Sequence, residues 1–219
     1  MFCLAIMVPF TLLAFGPIGN MIGGAIGGVY NTLYHLSPAI AGFVVGALWM
    51  PLVTLGVHWG ITPVTVGNYA TLGYDTFTGL QASAVFGMAG AVLGVYLKAK
   101  DAELKRMALS AGVTALFGIT EPAIYGVALR LKRPMICGCL AGAAGGMSAG
   151  AFNAVSRSYC IPVTAVLPVF FYDGPMTQPL AFLASISFAF ILGMTYSWFA
   201  GVQENSQPVG RSFPSPALL

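Results

Sequence analysis

The charged residues of this sequence are few and bunched, and the stretches between them are too apolar to face water. Only 7% of the 219 residues are charged, against 58% hydrophobic, and the mean hydropathy is +0.85. A soluble domain carries roughly 25% charged residues. So few charges cannot cover a globule with solvated groups, which leaves lipid as the solvent for most of the surface. Backbone polar groups in lipid have to be satisfied within the spanning element, which favours helices. The fold class expected is an all-α integral membrane protein, a multi-span helical bundle.

A span needs about 20 apolar residues. Five regions are read as spans: residues 2–26 (broken by Pro9 and Pro17), 38–57, 82–97, 134–154 and 180–199. Residues 1–15 lack a basic flank and a small-residue cleavage site, so they read as part of a span, not as a signal peptide. Two more stretches, 60–80 and 107–129, are apolar but interrupted by polar residues, Gly and Pro. Irregular backbone at membrane depth is tolerated only against protein or a water-filled cavity, so broken apolar segments point to a transporter's substrate site. From pattern alone, ordinary extramembrane loops fit equally well.

Lys and Arg set the orientation. Lys98–Arg106 holds four basic residues and Arg130–Arg133 holds three. The positive-inside bias puts both on the cytoplasmic side. Only 23 residues lie between them, and two full spans need about 40. Residues 107–129 are therefore expected to leave and return on one face, as a re-entrant hairpin. The net charge is only +3 and most of the basic residues sit in these loops, which suits a membrane surface better than nucleic acid. Gly138, Gly142, Gly146 and Gly150 recur every four residues, a smooth helix face for close packing. Gly23/Gly27 and Gly24/Gly28 suggest the same over a shorter length. Residues 203–219 are polar and proline-rich, as disordered tails are.

Six acidic residues are present. Asp101, Glu103 and Glu204 sit in polar surroundings, and Asp75 and Asp173 lie in turn-like, structural contexts. Glu121 differs, because apolar sequence flanks it on both sides. An ionisable group at membrane depth is expensive and marks a functional site by default; a surface Glu beside a turn proline is the bland alternative. His58 ends an apolar run beside Trp59. Its imidazole can donate to or accept from a sugar hydroxyl, and the indole offers a face to a pyranose, although a lone histidine is more often simply packed. His35 keeps that packed reading. Asn68 offers an amide to a hydroxyl or, equally, to a loop backbone. Cys3, Cys137, Cys139 and Cys160 read as free thiols, with too few neighbours for a metal site. No metal or cofactor is expected, and no Gly-rich nucleotide loop ends in Lys-Ser or Lys-Thr.

The run Gly118-Ile-Thr-Glu-Pro-Ala-Ile-Tyr-Gly126, followed by Lys132-Arg-Pro134, resembles the signature of the glucose-superfamily membrane (IIC) components of the bacterial phosphoenolpyruvate:sugar phosphotransferase system. Gly56-Val-His-Trp-Gly60 and Leu72-Gly-Tyr-Asp-Thr76 narrow the resemblance to the β-glucoside branch, over about residues 1–200. It implies two re-entrant hairpins, near 58–80 and 107–129, and an elevator-like carriage of sugar across the bacterial inner membrane. It implies phosphorylation of the sugar's 6-hydroxyl by a phosphocysteine on a B domain. It maps catalytic and sugar-binding roles onto Glu121 and His58; Thr120, Asn68 and Trp59 are the further residues expected to bind the sugar. A homodimer is implied for full-length relatives.

No B or A domain is recognised, and the early spans of the family are missing, so residues 1–202 read as a partial IIC domain. The B domain is then expected in trans. Three readings stay open: a phosphorylation-coupled permease component, a sugar facilitator without phosphorylation, and a remnant that only associates with intact copies.

Overall fold

A computed structural model of the chain describes residues 8–9, 13, 16–157 and 177–201. The readings of Cys3, Cys160, Asp173, Glu204 and the 203–219 tail fall outside these residues, as do residues 2–7, 10–12 and 14–15 of the first expected span. The described chain is helical, with one isolated bridge between Asp75 and Ser156. The order is α1 (Gly16–Leu36), α2 (Pro38–Thr54), a 3-10 segment (Val57–Ile61), α3 (Thr62–Leu72), α4 (Phe77–Lys98), α5 (Ala102–Leu116), a π-helical segment (Pro122–Ala128) running into Leu129–Leu131, α6 (Arg133–Ala151) and α7 (Thr177–Ala200).

Among the described residues, α4, α6 and α7 are long and apolar enough to cross a membrane. At 17 residues α2 is shorter, with Pro51 near its end. α1 does not stop near Ile26 but continues to Leu36. The residues between the first two expected spans are helical too: Thr32 Oγ1 donates back to the Gly28 carbonyl at 2.9 Å and Tyr30 packs edge-on against Phe77 at 5.1 Å.

Glycine on α6 decides how the core closes. A Cβ on Gly146 would collide with the Gly42 carbonyl, and one on Gly142 would lie 2.6 Å from the Gly46 carbonyl oxygen. Gly150 meets Pro38 in the same way. So α6 lies backbone against backbone on α2, while Gly138 faces Met88 of α4. Gly90 and Gly193 bring α4 and α7 equally close. The large side chains of α6, Ile136, Leu140 and Met147, point outward and are exposed. Small residues inward and large apolar residues outward is the arrangement of a bundle whose surroundings are lipid. The short α1 motif behaves differently: Gly27 contacts Val64, and Gly24 and Gly28 have no neighbour within 4 Å among the described residues.

Both basic clusters lie at the C-terminal end of α7. Lys98 Nζ sits 5.0 Å from the Trp198 ring, and Arg133 Nη1 donates to the Ala200 carbonyl at 2.6 Å, where a cation complements the last carbonyls of a helix. Between the clusters the chain makes a helical hairpin. Asp101 caps α5 by accepting from Leu104 N at 2.9 Å, as an N-cap carboxylate does. α5 ends at a turn through Gly118, whose φ of +85° suits glycine. Pro122 opens the π-helical return arm, and Gly126 comes back beside Met107, the side chain lying 3.6 Å from where a Cβ would be. At 15 residues, α5 rises only about 22 Å, short of the roughly 30 Å hydrocarbon core.

Candidate functional site

The hairpin turn, Gly118–Glu121, forms one wall of a cavity of about 240 Å³. The other walls are Trp49 and Val53 of α2, His58, Trp59 and Ile61 of the 3-10 segment, Thr62 and Thr65 of α3, and Thr78, Gln81 and Val85 of α4. Of the residues singled out in the sequence, Glu121, His58, Trp59 and Thr120 meet here. They come from segments more than 60 residues apart in the chain.

The two titratable groups are held differently. Glu121 begins the π-helical arm and is exposed toward the cavity, while Thr120 beneath it is buried and its carbonyl accepts from Ile124 N at 2.9 Å. π-helical segments in helices occur often at functional sites. Gly56, at φ +74°, breaks the chain between α2 and the 3-10 segment and so turns His58 back over the cavity. The imidazole lies between Trp49 (ring centroids 5.9 Å, edge-on) and Trp59 (5.4 Å, tilted). Its Nδ1 is buried with no hydrogen-bond partner among the described residues. Trp59 is 65% exposed and leaves a ring face open at the cavity. Tyr125, on the return arm, donates to the Thr54 carbonyl at 3.0 Å, tying the Glu121 hairpin to the end of the helix that leads into His58.

Asn68 does not reach the cavity. Its amide donates to Asp75 Oδ1 at 2.8 Å. Asp75 is 1% exposed, and its Oδ2 accepts from the backbone N–H and hydroxyl of Thr78 at 2.7 and 2.8 Å. Tyr69 donates to the same hydroxyl at 3.3 Å, and the Asp75 backbone exchanges two 2.8 Å hydrogen bonds with Ser156. The structural reading of Asp75 thus holds, and Asn68 supports it from behind the site. His35 lies exposed on the last turn of α1, away from the cavity. Cys137 is buried and Cys139 half-buried, both as free thiols.

Trp49, Thr65, Thr78 and Gln81 were not anticipated from the sequence. Thr78 lies where 60–80 reads as an interrupted segment, and Gln81 falls between that segment and the span expected from residue 82. They sit on α4, which begins at Phe77, so their polarity marks a cavity-facing helix side where it reads as a break. Their spacing with Val85, three and then four residues, was the available signal.

Comparison with known proteins follows this geometry. The model of the family described as phosphotransferase system, EIIC, matches residues 1–142. The β-glucoside-specific EIIBCA component of Dickeya chrysanthemi is 39% identical over 99% of this chain and 34% of its own length. The β-glucoside-specific EIIBCA component of Halalkalibacterium halodurans is 41% identical over 73% of this chain and 25% of its own length. The arbutin-, cellobiose-, and salicin-specific EIIBC component of Escherichia coli strain K12 is 33% identical over 93% of this chain and 42% of its own length. This chain therefore spans between a quarter and about two fifths of these relatives. No solved structure matches it. With the family model covering residues 1–142 of 219, and apolar helices long enough to span a bilayer, the chain belongs to the EIIC family of phosphotransferase-system membrane proteins.

Proposed function

We propose that this chain is the membrane component of a β-glucoside permease that carries its sugar across the bacterial inner membrane and presents it for phosphorylation. The observation that carries the reading is the convergence of Glu121 and His58 on one cavity beside the exposed Trp59. Relatives named for β-glucosides, arbutin, cellobiose and salicin support the substrate class.

In this reading the sugar's 6-hydroxyl lies against the Glu121 carboxylate. The hydroxyl oxygen attacks the phosphorus of a phosphocysteine on a B domain, fused or separate. The sulfur–phosphorus bond breaks, the thiolate leaves, and the hydroxyl proton passes to Glu121. A positioned carboxylate contributes by accepting that proton in the transition state. His58 bonds a second hydroxyl, Thr120 holds the turn that aims Glu121, and Trp59 covers the apolar sugar face. Both basic clusters face the cytoplasm, residues 58–80 and 107–129 enter the membrane without crossing it, and residues 1–202 form the IIC part. The shared end of the two clusters supports this topology.

The test uses membranes carrying the chain, a phosphorylated B domain and labelled salicin. Salicin phosphate that forms with the wild type and is lost in Glu121→Gln is the expected result. Passage of unmodified salicin would identify a facilitator instead. Stable insertion with neither activity would identify a remnant.

A further inference from the structure

One polar side chain in the cavity is not explained by the chemistry assigned to Glu121 and His58. Gln81 lies in the second turn of α4, whose neighbouring residues Leu80, Ala82, Ser83 and Ala84 are fully buried. Gln81 itself is half-buried and lines the cavity with Thr78 and Val85, on one face of the helix.

Two of the hydroxyls nearby are already engaged. Thr78 donates to Asp75 at 2.8 Å, and Thr65 donates to the Thr62 carbonyl at 2.8 Å. The Gln81 amide makes no hydrogen bond to any described residue. An amide offers two donors and one acceptor, and one that lines the cavity with no protein partner is available to a ligand's hydroxyls. Packing alone would be served better by Leu or Ala at this position of a helix that is otherwise apolar.

We propose that Gln81 is a specificity-determining residue whose amide bonds a ring hydroxyl of the glucoside and so selects which sugars the cavity holds. The proposal rests on the permease reading above. Gln81 approaches from α4, whereas Glu121 and His58 come from the hairpin and the 3-10 segment. It therefore orients the sugar and takes no part in proton transfer. A site built to bond a hydroxyl discriminates strongly against an analogue that lacks it, because its own polar group is left unpaired.

The experiment measures equilibrium binding to the full chain in proteoliposomes. The probes are phenyl β-D-glucoside and its 2-, 3- and 4-deoxy analogues, each against wild type, Gln81→Leu and the isosteric Gln81→Glu. Gln81→Leu should bind the parent glucoside on the order of tenfold more weakly. For one deoxy analogue, the one lacking the bonded hydroxyl, it should match the wild type. Gln81→Glu keeps acceptor oxygens in the same shape and should fall between the two. An unchanged affinity of Gln81→Leu for the parent, or one uniform loss across all four sugars, would overturn the assignment and leave the permease reading standing. A wild type that binds none of the glucosides would overturn both. Retained helical circular dichroism and a monodisperse elution profile separate lost recognition from lost folding.

Discussion

Replacing Gly142 by Ala tests whether backbone contact holds this bundle together. In a solvent-facing helix the change is favourable by about 1 kcal/mol, because glycine loses more freedom on folding. Here the added methyl would lie 2.6 Å from the Gly46 carbonyl oxygen and 2.9 Å from the Ala84 Cα. Both obstacles are backbone, so no rotamer change relieves them. The helices have to separate by roughly an ångström, which forfeits a quarter to a half of each dispersion contact along the crossing. Overpacking of this kind costs about 1–3 kcal/mol. The net expectation is a loss of about 1–2 kcal/mol, or about 2–8 °C in apparent Tm for a chain of this size. Gly28→Ala is the control, since nothing lies within 4 Å of its position among the described residues. It should keep the propensity gain and raise the apparent Tm by up to about 4 °C. The assay is thermal unfolding of the purified chain in one detergent at one scan rate, because membrane proteins seldom unfold reversibly. An apparent Tm for Gly142→Ala at or above the wild type would refute the backbone-contact reasoning.

Asn68→Ala should lower stability by about 1–3 kcal/mol, since it leaves the buried Asp75 Oδ1 without its 2.8 Å donor. Salicin affinity should stay within about twofold; a loss of tenfold or more with stability intact would restore Asn68 as a sugar ligand. Tyr125→Phe removes the hydrogen bond to the Thr54 carbonyl, worth about 0.5–1.5 kcal/mol. It should raise the KM for salicin several-fold and lower the apparent Tm by about 1–6 °C, and an unchanged KM counts against the tie between hairpin and α2. His58→Ala should lower salicin phosphorylation at least tenfold, with partial recovery in His58→Gln, which keeps a donor and an acceptor; equal activities in both variants would show that the imidazole acts only by packing.

Glu121 was legible because physics made it conspicuous: a carboxylate amid apolar sequence has to be explained. The hairpin around it followed from counting residues between two basic clusters. The glycine stripe of α6 was legible as a packing face, though the sequence does not name the partner, here the Gly42 and Gly46 face of α2. Gln81 and Thr78 were missed because a lone polar residue inside an apolar helix and a polar residue in a loop look alike until the helix start is known. The extent of α1 was missed for a similar reason, as its polar stretch stays helical through Thr32 and the ring packing of Tyr30. The sequence left Asn68 open between a sugar hydroxyl and the loop, because an amide's partner is set by tertiary position. That partner, Asp75, lies only seven residues further on, across a turn at Gly73 with φ +75°.

Helices that touch through their backbones have no layer of side chains between them to rearrange. α2, α4, α6 and α7 therefore behave as one stiff piece that turns or shifts as a whole. Glu121 and His58 both stand outside that piece, on a short hairpin and a five-residue 3-10 segment, whereas Gln81 is fixed within it. On the permease reading proposed above, a sugar in the cavity would rest against one stiff frame on one side and two short elements set onto that frame on the other.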